Sequence, residues 1–249
     1  MQHINITIMF DPLIMNLHTI SKCYILTGNI DEINEIYQIY EELIPLYDDI
    51  RTRIKIVEIE KTNCPRGQYC ILFYSEVKEG YEANIGYLGQ QIDLYLASKN
   101  IGTCWYGIGK TNMMLEDMVF VIMMTMQKQQ EKMFRKDMFK SKRKDIKDIW
   151  QNDHYLDIAN IVRFAPSSCN TQPWFVEAKS NNLLVFRTKG KKGIIPKDKL
   201  SYYNRIDMGI FLLILELCLK HGNYQYIRTL YLDNDDDVKL RFANYEILN

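Results

Sequence analysis

The residues best equipped for chemistry lie between Ala165 and Trp174, where the chain reads APSSCNTQPW. Pro166 and Pro173 remove backbone donors and fix φ at either end, so the segment is a stiff loop and not the continuation of a helix. Between them Ser167, Ser168, Asn170 and Gln172 offer more donor and acceptor capacity than a turn needs for itself. Composition leaves two readings open: a loop that holds a polar ligand, and a turn whose side chains cap their own backbone.

A second segment, Asn100 to Gly109 (NIGTCWYGIG), carries three glycines that let the backbone approach a flat ligand closely. Trp105 and Tyr106 add apolar area with polar tips. The competing reading is a helix C-cap followed by a turn. A third segment is basic, Phe134 to Lys144 (FRKDMFKSKRK). It reads as a solvated linker or as an anion seat, since a phosphate dianion wants two or three cations within hydrogen-bond reach. With little aromatic interleaving and no second patch, it does not fit a nucleic-acid surface. The six cysteines and four histidines show no metal-ligand spacing, so no metal site is expected. Cys104 and Cys169 have no neighbouring His or Lys to activate a thiolate and read as packing residues, as does Trp174.

These segments need elements to position them. Apolar positions at Ile33, Ile36, Tyr37, Tyr40, Leu43 and Ile44 make residues 31–48 a helix ended near Pro45. Residues 54–60 and 69–76, on either side of Cys64-Pro65-Arg66-Gly67, read as paired strands. A helix from Asn84 carries Ile85, Leu88, Ile92, Tyr95 and Lys99 on one half-buried face. The stretch after Arg205 is apolar almost all round, a central buried helix. With about fourteen residues before Lys220, and Asp207 and Glu216 inside, it is too short and polar to span a bilayer. Val119 to Met126 reads as a buried strand, and residues 224–232 with 238–242 as a closing pair around the acidic turn Asp233 to Asp237. The fold class is α+β, with mixed or antiparallel sheets flanked by helices.

Formal net charge is zero and the pI about 6.9, which gives no global field for nucleic acid or a membrane surface. At 249 residues and 47% hydrophobic composition the chain needs no covalent staples. Scattered cysteines fit reduced thiols in a cytoplasm, and Asp11 and Pro12 interrupt the short apolar run that a signal peptide would need.

The decapeptide resembles the Ala-Pro-Ser-x-x-Asn-x-Gln-Pro-Trp signature of the FMN-dependent nitroreductase superfamily, and Asn100 to Gly109 resembles that family's Gly-Leu-Gly-Thr-Cys-Trp segment. The order is reversed here: the decapeptide follows the Gly-rich segment. Two fused halves that each kept one motif would explain this, and a repeat is present. Asn84 to Lys99 aligns with Arg205 to Lys220 at an offset of 121, bringing Ile85 to Ile206 and Ile92 to Leu213. Ile54 to Glu58 echoes Trp174 to Glu177. The chain is thus similar to the internally duplicated, single-chain branch, the putative TM nitroreductases. That resemblance implies two halves, residues 1–150 with the Gly-rich and basic segments and 151–249 with the decapeptide, forming an intramolecular pseudo-dimer.

By the same resemblance, the cofactor is FMN and the electron donor NAD(P)H, with a nitroaromatic, quinone or similar small-molecule acceptor reduced by two electrons through flavin N5. No side chain is needed as acid or base. The flavin would be held by Pro166, Ser167, Ser168, Asn170 and Gln172, by Trp105, Tyr106 and the backbone of Gly107 and Ile108 along the ring edge, and by Lys142, Arg143 and Lys144 at the phosphate. A monomer or weak homodimer is implied, with no nucleic-acid or membrane partner. One departure matters. Family members begin with Arg-x-Ser-x-Arg, whereas residues 1–30 contain no arginine, with Lys22 as a partial substitute. The alternative is a non-catalytic flavin- or nucleotide-binding protein that retains the fold.

Overall fold

A computed structural model of the chain describes residues 33–128, 130, 141–189, 196–232 and 239–248. The arginine-free N-terminus with Lys22, the basic residues 134–140 and the acidic turn 233–237 lie outside the described residues. The chain divides into two compact units, residues 1–138 and 139–249. This boundary falls earlier than the expected 150, so Lys142 to Lys144 belong to the second unit and not to the first.

In the first unit, helix α1 (Ile33–Glu42) buries Ile36, Ile39 and Tyr40, one face of a helix. It ends ahead of Pro45, since the residue before a proline is pushed out of the helical region. Tyr40 Oη donates to Thr52 Oγ1 at 2.9 Å and ties the helix to β1 (Thr52–Glu58). β1 pairs antiparallel with β2 (Tyr69–Ser75). Then follow α2 (Tyr81–Ser98), β3 (Ile101–Tyr106) and β4 (Val119–Lys128), giving an antiparallel sheet in the order β1-β2-β4-β3. The Gly-rich segment is therefore an edge strand. Asn100, at φ 57, supplies the left-handed turn after α2 by itself, leaving Gly102 free to sit inside β3.

Helix α2 begins at Tyr81, ahead of the expected Asn84, because Gly80 at φ 87 turns the chain into it. A Cβ there would lie 2.6 Å from Tyr47 Cε2, so both backbone and space call for glycine. α2 is buried nearly all round, not along one face. Its polar residues are internally bonded: Gln90 Nε2 donates to Asp93 Oδ2 at 2.7 Å, Thr103 Oγ1 to Asp93 Oδ1, and Gln91 Nε2 to the Ile44 carbonyl at 2.9 Å. Burial holds the Asp93 carboxyl up at about 6 despite those donors.

The second unit runs α3 (Ile146–Ile149), β5 (Trp150–Gln151), α4 (Leu156–Val162), β6 (Trp174–Lys179), β7 (Asn182–Thr188), α5 (Lys197–His221), β8 (Gln225–Leu230) and β9 (Lys239–Leu248). Its sheet has the order β5-β6-β7-β9-β8, with β5 parallel to β6 and the remaining pairs antiparallel. Trp174 is buried and stacks on Phe211 of α5 with ring centroids 4.8 Å apart, confirming its core role. No helix among the described residues is long and apolar enough to cross a membrane.

Apart from α3 and β5, both units follow one plan: helix, two strands, long helix, two strands, with the last strand inserted between the second and third. Both carry the same irregularity. β4 skips Val121 opposite Phe73/Tyr74, and β9 skips Phe242 opposite Val185/Phe186. Analogous hydrogen bonds in the two units stand at a different offset from the helix alignment read in the sequence. Asn84 Oδ1 accepts from the N–H groups of Leu46 and Tyr47 at 2.8 and 3.0 Å, and Asp207 Oδ1 accepts from the N–H of Ser168 at 2.9 Å. Asp93 accepts from Thr103 on β3, and Glu216 accepts from Tyr226 on β8 at 3.1 Å. Asn84 and Asp207, like Asp93 and Glu216, stand 123 positions apart, two more than the sequence alignment. Because α5 is apolar nearly all round, a slide of two residues still brings apolar onto apolar, and hydropathy does not fix the register.

Candidate functional site

The decapeptide links α4 to β6. Three of its residues, Cys169 (φ 50), Asn170 (φ 56) and Gln172 (φ 47), occupy the left-handed region without being glycine. Asparagine tolerates that region; cysteine and glutamine are strained there, and such strain persists only where the surroundings impose it. The surroundings are specific. Ser168 donates both its N–H and its Oγ to Asp207 Oδ1 at 2.9 and 3.0 Å, and Thr171 Oγ1 reaches Asp207 Oδ2 at 3.4 Å. Gln172 N–H donates to Ser167 Oγ at 3.0 Å, and Gln172 Nε2 to the carbonyl and Oδ1 of Asn170, both at 3.2 Å. Burial raises the Asp207 carboxyl to about 7, the three donors opposing it.

The basic segment lies against this loop. Arg143 Nη1 donates to Asn170 Oδ1 at 3.0 Å and Nη2 to the Phe164 carbonyl at 3.2 Å. Asn170 Nδ2 returns a bond to the Lys142 carbonyl at 3.1 Å. Lys144 donates its N–H to Gln172 Oε1 at 2.8 Å and its Nζ to the Gln172 carbonyl at 2.7 Å. The structure thus brings together Lys142, Arg143, Lys144, Ser167, Ser168, Asn170 and Gln172 within one unit. The polar side chains of the loop hold the loop and its basic strap; hydroxyl and amide groups retain further capacity beyond those bonds. Pro166 is buried and closes the end of α4.

The Gly-rich strand belongs to the first unit. Alternation along β3 sends Trp105 and Tyr106 to opposite faces. Trp105 stacks on Phe73 with centroids 5.9 Å apart, and a Cβ on Gly89 of α2 would come within 2.4 Å of its ring. Its Nε1 is buried with no hydrogen-bond partner among the described residues. Tyr106 instead packs on the cluster of Val57, Cys64, Cys70, Leu72, Tyr74 and Met123 across the sheet. Trp105 and Tyr106, both expected along the flavin edge, thus face opposite sides of the sheet. Gly107 and Ile108 follow the strand, with Ile108 strongly exposed and its N–H without a partner among the described residues.

Two residues that the sequence reading passed over stand out. Arg187 is wholly buried, because the inward alternation Leu183, Val185, Arg187 on β7 turns it into the core opposite Trp174. Asn204, on α5 one turn ahead of Asp207, is 1% exposed, and both polar atoms of its amide lack a partner among the described residues. Alternation was a usable signal for Arg187; nothing in the sequence marks Asn204. Among the described residues no three His, Cys, Asp or Glu side chains gather to hold a metal ion.

Residues 25–218 match the family described as Putative TM nitroreductase. No curated protein matches the chain. Among solved structures, a putative nitroreductase from Thermotoga maritima MSB8 shares the fold with a TM-score of 0.61, covering 99% of this chain and 95% of that one at 18% identity. With the family match running from ahead of α1 into the last turn of α5, the chain belongs to the putative TM nitroreductase family.

Proposed function

We propose that the chain is an FMN-dependent oxidoreductase that accepts a hydride from NAD(P)H and passes two electrons to a nitroaromatic, quinone or similar small acceptor. Family membership supports the oxidoreductase class. The observation that carries the cofactor reading is the strapping of Lys142 to Lys144 onto the loop Ser167 to Gln172, which sets cations beside hydroxyl and amide groups. A phosphate and a polyhydroxylated chain are what such a surface recognises.

The chain's own groups fit FMN on a second count. Asn204 is a buried carboxamide with neither atom paired among the described residues, a costly state that a polar ligand relieves. Bound FMN would supply the redox chemistry at N5. In this reading Lys142, Arg143 and Lys144 hold the phosphate, while Ser167, Ser168, Asn170 and Gln172 bond the ribityl chain or ring edge. The backbone N–H groups of Gly107 and Ile108 orient the ring. The partner is a small-molecule acceptor, and the chain acts as a monomer built of two like halves, or as a weak homodimer.

A second reading, a flavin- or nucleotide-binding protein without turnover, is favoured by the absence of arginine from residues 1–30, since a cation near the pyrimidine edge stabilises reduced flavin. One titration separates the two. FMN is added to the purified protein while fluorescence quenching and NAD(P)H oxidation with a quinone are followed in the same sample. Turnover that rises with occupancy supports the oxidoreductase; binding that saturates while turnover stays at the free-flavin baseline supports the binding protein and overturns the enzyme.

A further inference from the structure

Asn63 stands in the β1–β2 connection, remote in sequence from both motifs, yet its side chain grips the backbone just beyond β3. Its Nδ2 donates to the Ile108 carbonyl at 3.1 Å and its Oδ1 accepts from the Lys110 N–H at 2.6 Å. One amide thereby engages the backbone on both sides of Gly109, as a paired strand would. Gly109 completes the grip: its N–H donates to the Tyr106 carbonyl at 3.2 Å, and a Cβ on it would lie 2.6 Å from Met123 Cγ. Asn63 is itself fixed by its neighbours. Thr62 N–H and Oγ1 both donate to the Ile59 carbonyl, at 3.0 and 2.9 Å, and Cys64 N–H donates to Thr62 Oγ1 at 3.1 Å.

We infer that Asn63 is a positioning residue for the cofactor-facing backbone at Gly107 and Ile108; this rests on the FMN reading above. Ile108 is an exposed position, 68% accessible, with an N–H that has no partner among the described residues. An exposed donor directs a ligand only if its peptide plane is held, and here Asn63 holds the following plane through the Ile108 carbonyl. Asn63 touches neither cofactor nor substrate in this role; it sets the angle at which Ile108 presents its donor.

The test uses the full chain with FMN and three variants, Asn63→Ala, Asn63→Asp and Asn63→Gln. Without FMN, amide hydrogen exchange at Lys110 should be fast in Asn63→Ala and slow in wild type and Asn63→Asp, which keeps the acceptor but lacks the donor to Ile108. With FMN, Asn63→Ala should bind about tenfold more weakly, the loss of one to two hydrogen bonds' worth of orientation. Its visible flavin spectrum should shift and its rate of flavin reduction by NAD(P)H should fall at saturating donor, while the apoprotein loses only the small stability that hydrogen bonds at an exposed position carry. Asn63→Asp should fall between wild type and Asn63→Ala, and Asn63→Gln should not rescue, its longer arm misplacing both bonds. If wild type binds FMN and Asn63→Ala matches it in affinity, spectrum and reduction rate, the positioning role is overturned and the proposed function stands. A wild type that binds no FMN removes both. An unprotected Lys110 amide in wild type removes the clamp whatever the flavin does.

Discussion

Lys144 meets Gln172 twice, once through its backbone N–H on Oε1 at 2.8 Å and once through Nζ on the backbone carbonyl at 2.7 Å. Two residues 28 positions apart are therefore tied through one side chain and one peptide group. The basic strap and the decapeptide form one structural object.

Truncating that tie should cost stability before any ligand is considered. Gln172 is 2% exposed, and Gln172→Ala leaves the Lys144 N–H and both Asn170 oxygens without it. Urea unfolding of the apoprotein should show a loss of about 1–3 kcal/mol. Asn170→Ala, at an exposed position, should cost about 0.5–1.5 kcal/mol by releasing Arg143 and Lys142. FMN affinity should fall in both; apoproteins as stable as wild type would show that the strap contributes nothing.

Stability should fall as pH rises through the range where Asp207 titrates. Its folded carboxyl sits at about 7 and its ordinary value is 3.8, so the folded chain binds this proton more tightly than the unfolded one. The resulting stabilisation is full below about 3.8 and is lost as pH rises to about 7. Asp207→Asn keeps an oxygen for Ser168 and has no proton to release. Its unfolding free energy between these limits should therefore decline less with pH than that of wild type, Asp93 contributing equally to both. Equal slopes would place the Asp207 titration at its unfolded value.

Gly89 is the seat of Trp105. Gly89→Ala puts a methyl 2.4 Å from Trp105 Cη2 and 3.3 Å from Phe73 Cζ, both in packed surroundings. Overpacking of this kind costs about 1–3 kcal/mol, and Trp105 must move to admit it. Thermal unfolding and tryptophan emission should both change. An unchanged emission maximum would mean that the indole is not against α2.

Flavin stoichiometry should be about one per chain. The first unit's counterpart of the Ser168 anchor is Leu46 in Pro45-Leu46-Tyr47, held by Asn84 but without Ser, Thr, Asn or Gln, and the second unit's counterpart of β3 is Gln225–Leu230, without glycine. Protein-corrected absorbance after gel filtration measures it. Two flavins per chain would require a binding surface built from neither motif.

Much of the fold was legible because period and punctuation agree: Ile36 and Tyr40 mark α1, and the strands on either side of Cys64 to Gly67 pair as read. The site was legible only in part. That Ser167 to Gln172 could bond a ligand followed from side-chain chemistry, but that they bond Asp207 and the basic strap instead of standing open depends on contacts from distant helix turns. Arg143 and Asn170 are 27 positions apart, and no local pattern relates them. Trp105 shows the same limit: its tip suits a flat ligand, while a single glycine on α2 decides that the ring packs inward.

The strand order carries a consequence for how the chain is made. In the first unit β2 and β3 share no ladder until β4, the last of the four to be synthesised, slides between them; in the second, β7 and β8 wait in the same way for β9. Each long helix leaves the ribosome ahead of the strand that completes its sheet, with apolar faces such as that of Ile92 and Leu96, or Phe211 and Leu215, not yet covered. Slow translation just ahead of residues 119–128 or 239–248 would prolong that exposure and favour chaperone capture or aggregation at those two moments of synthesis.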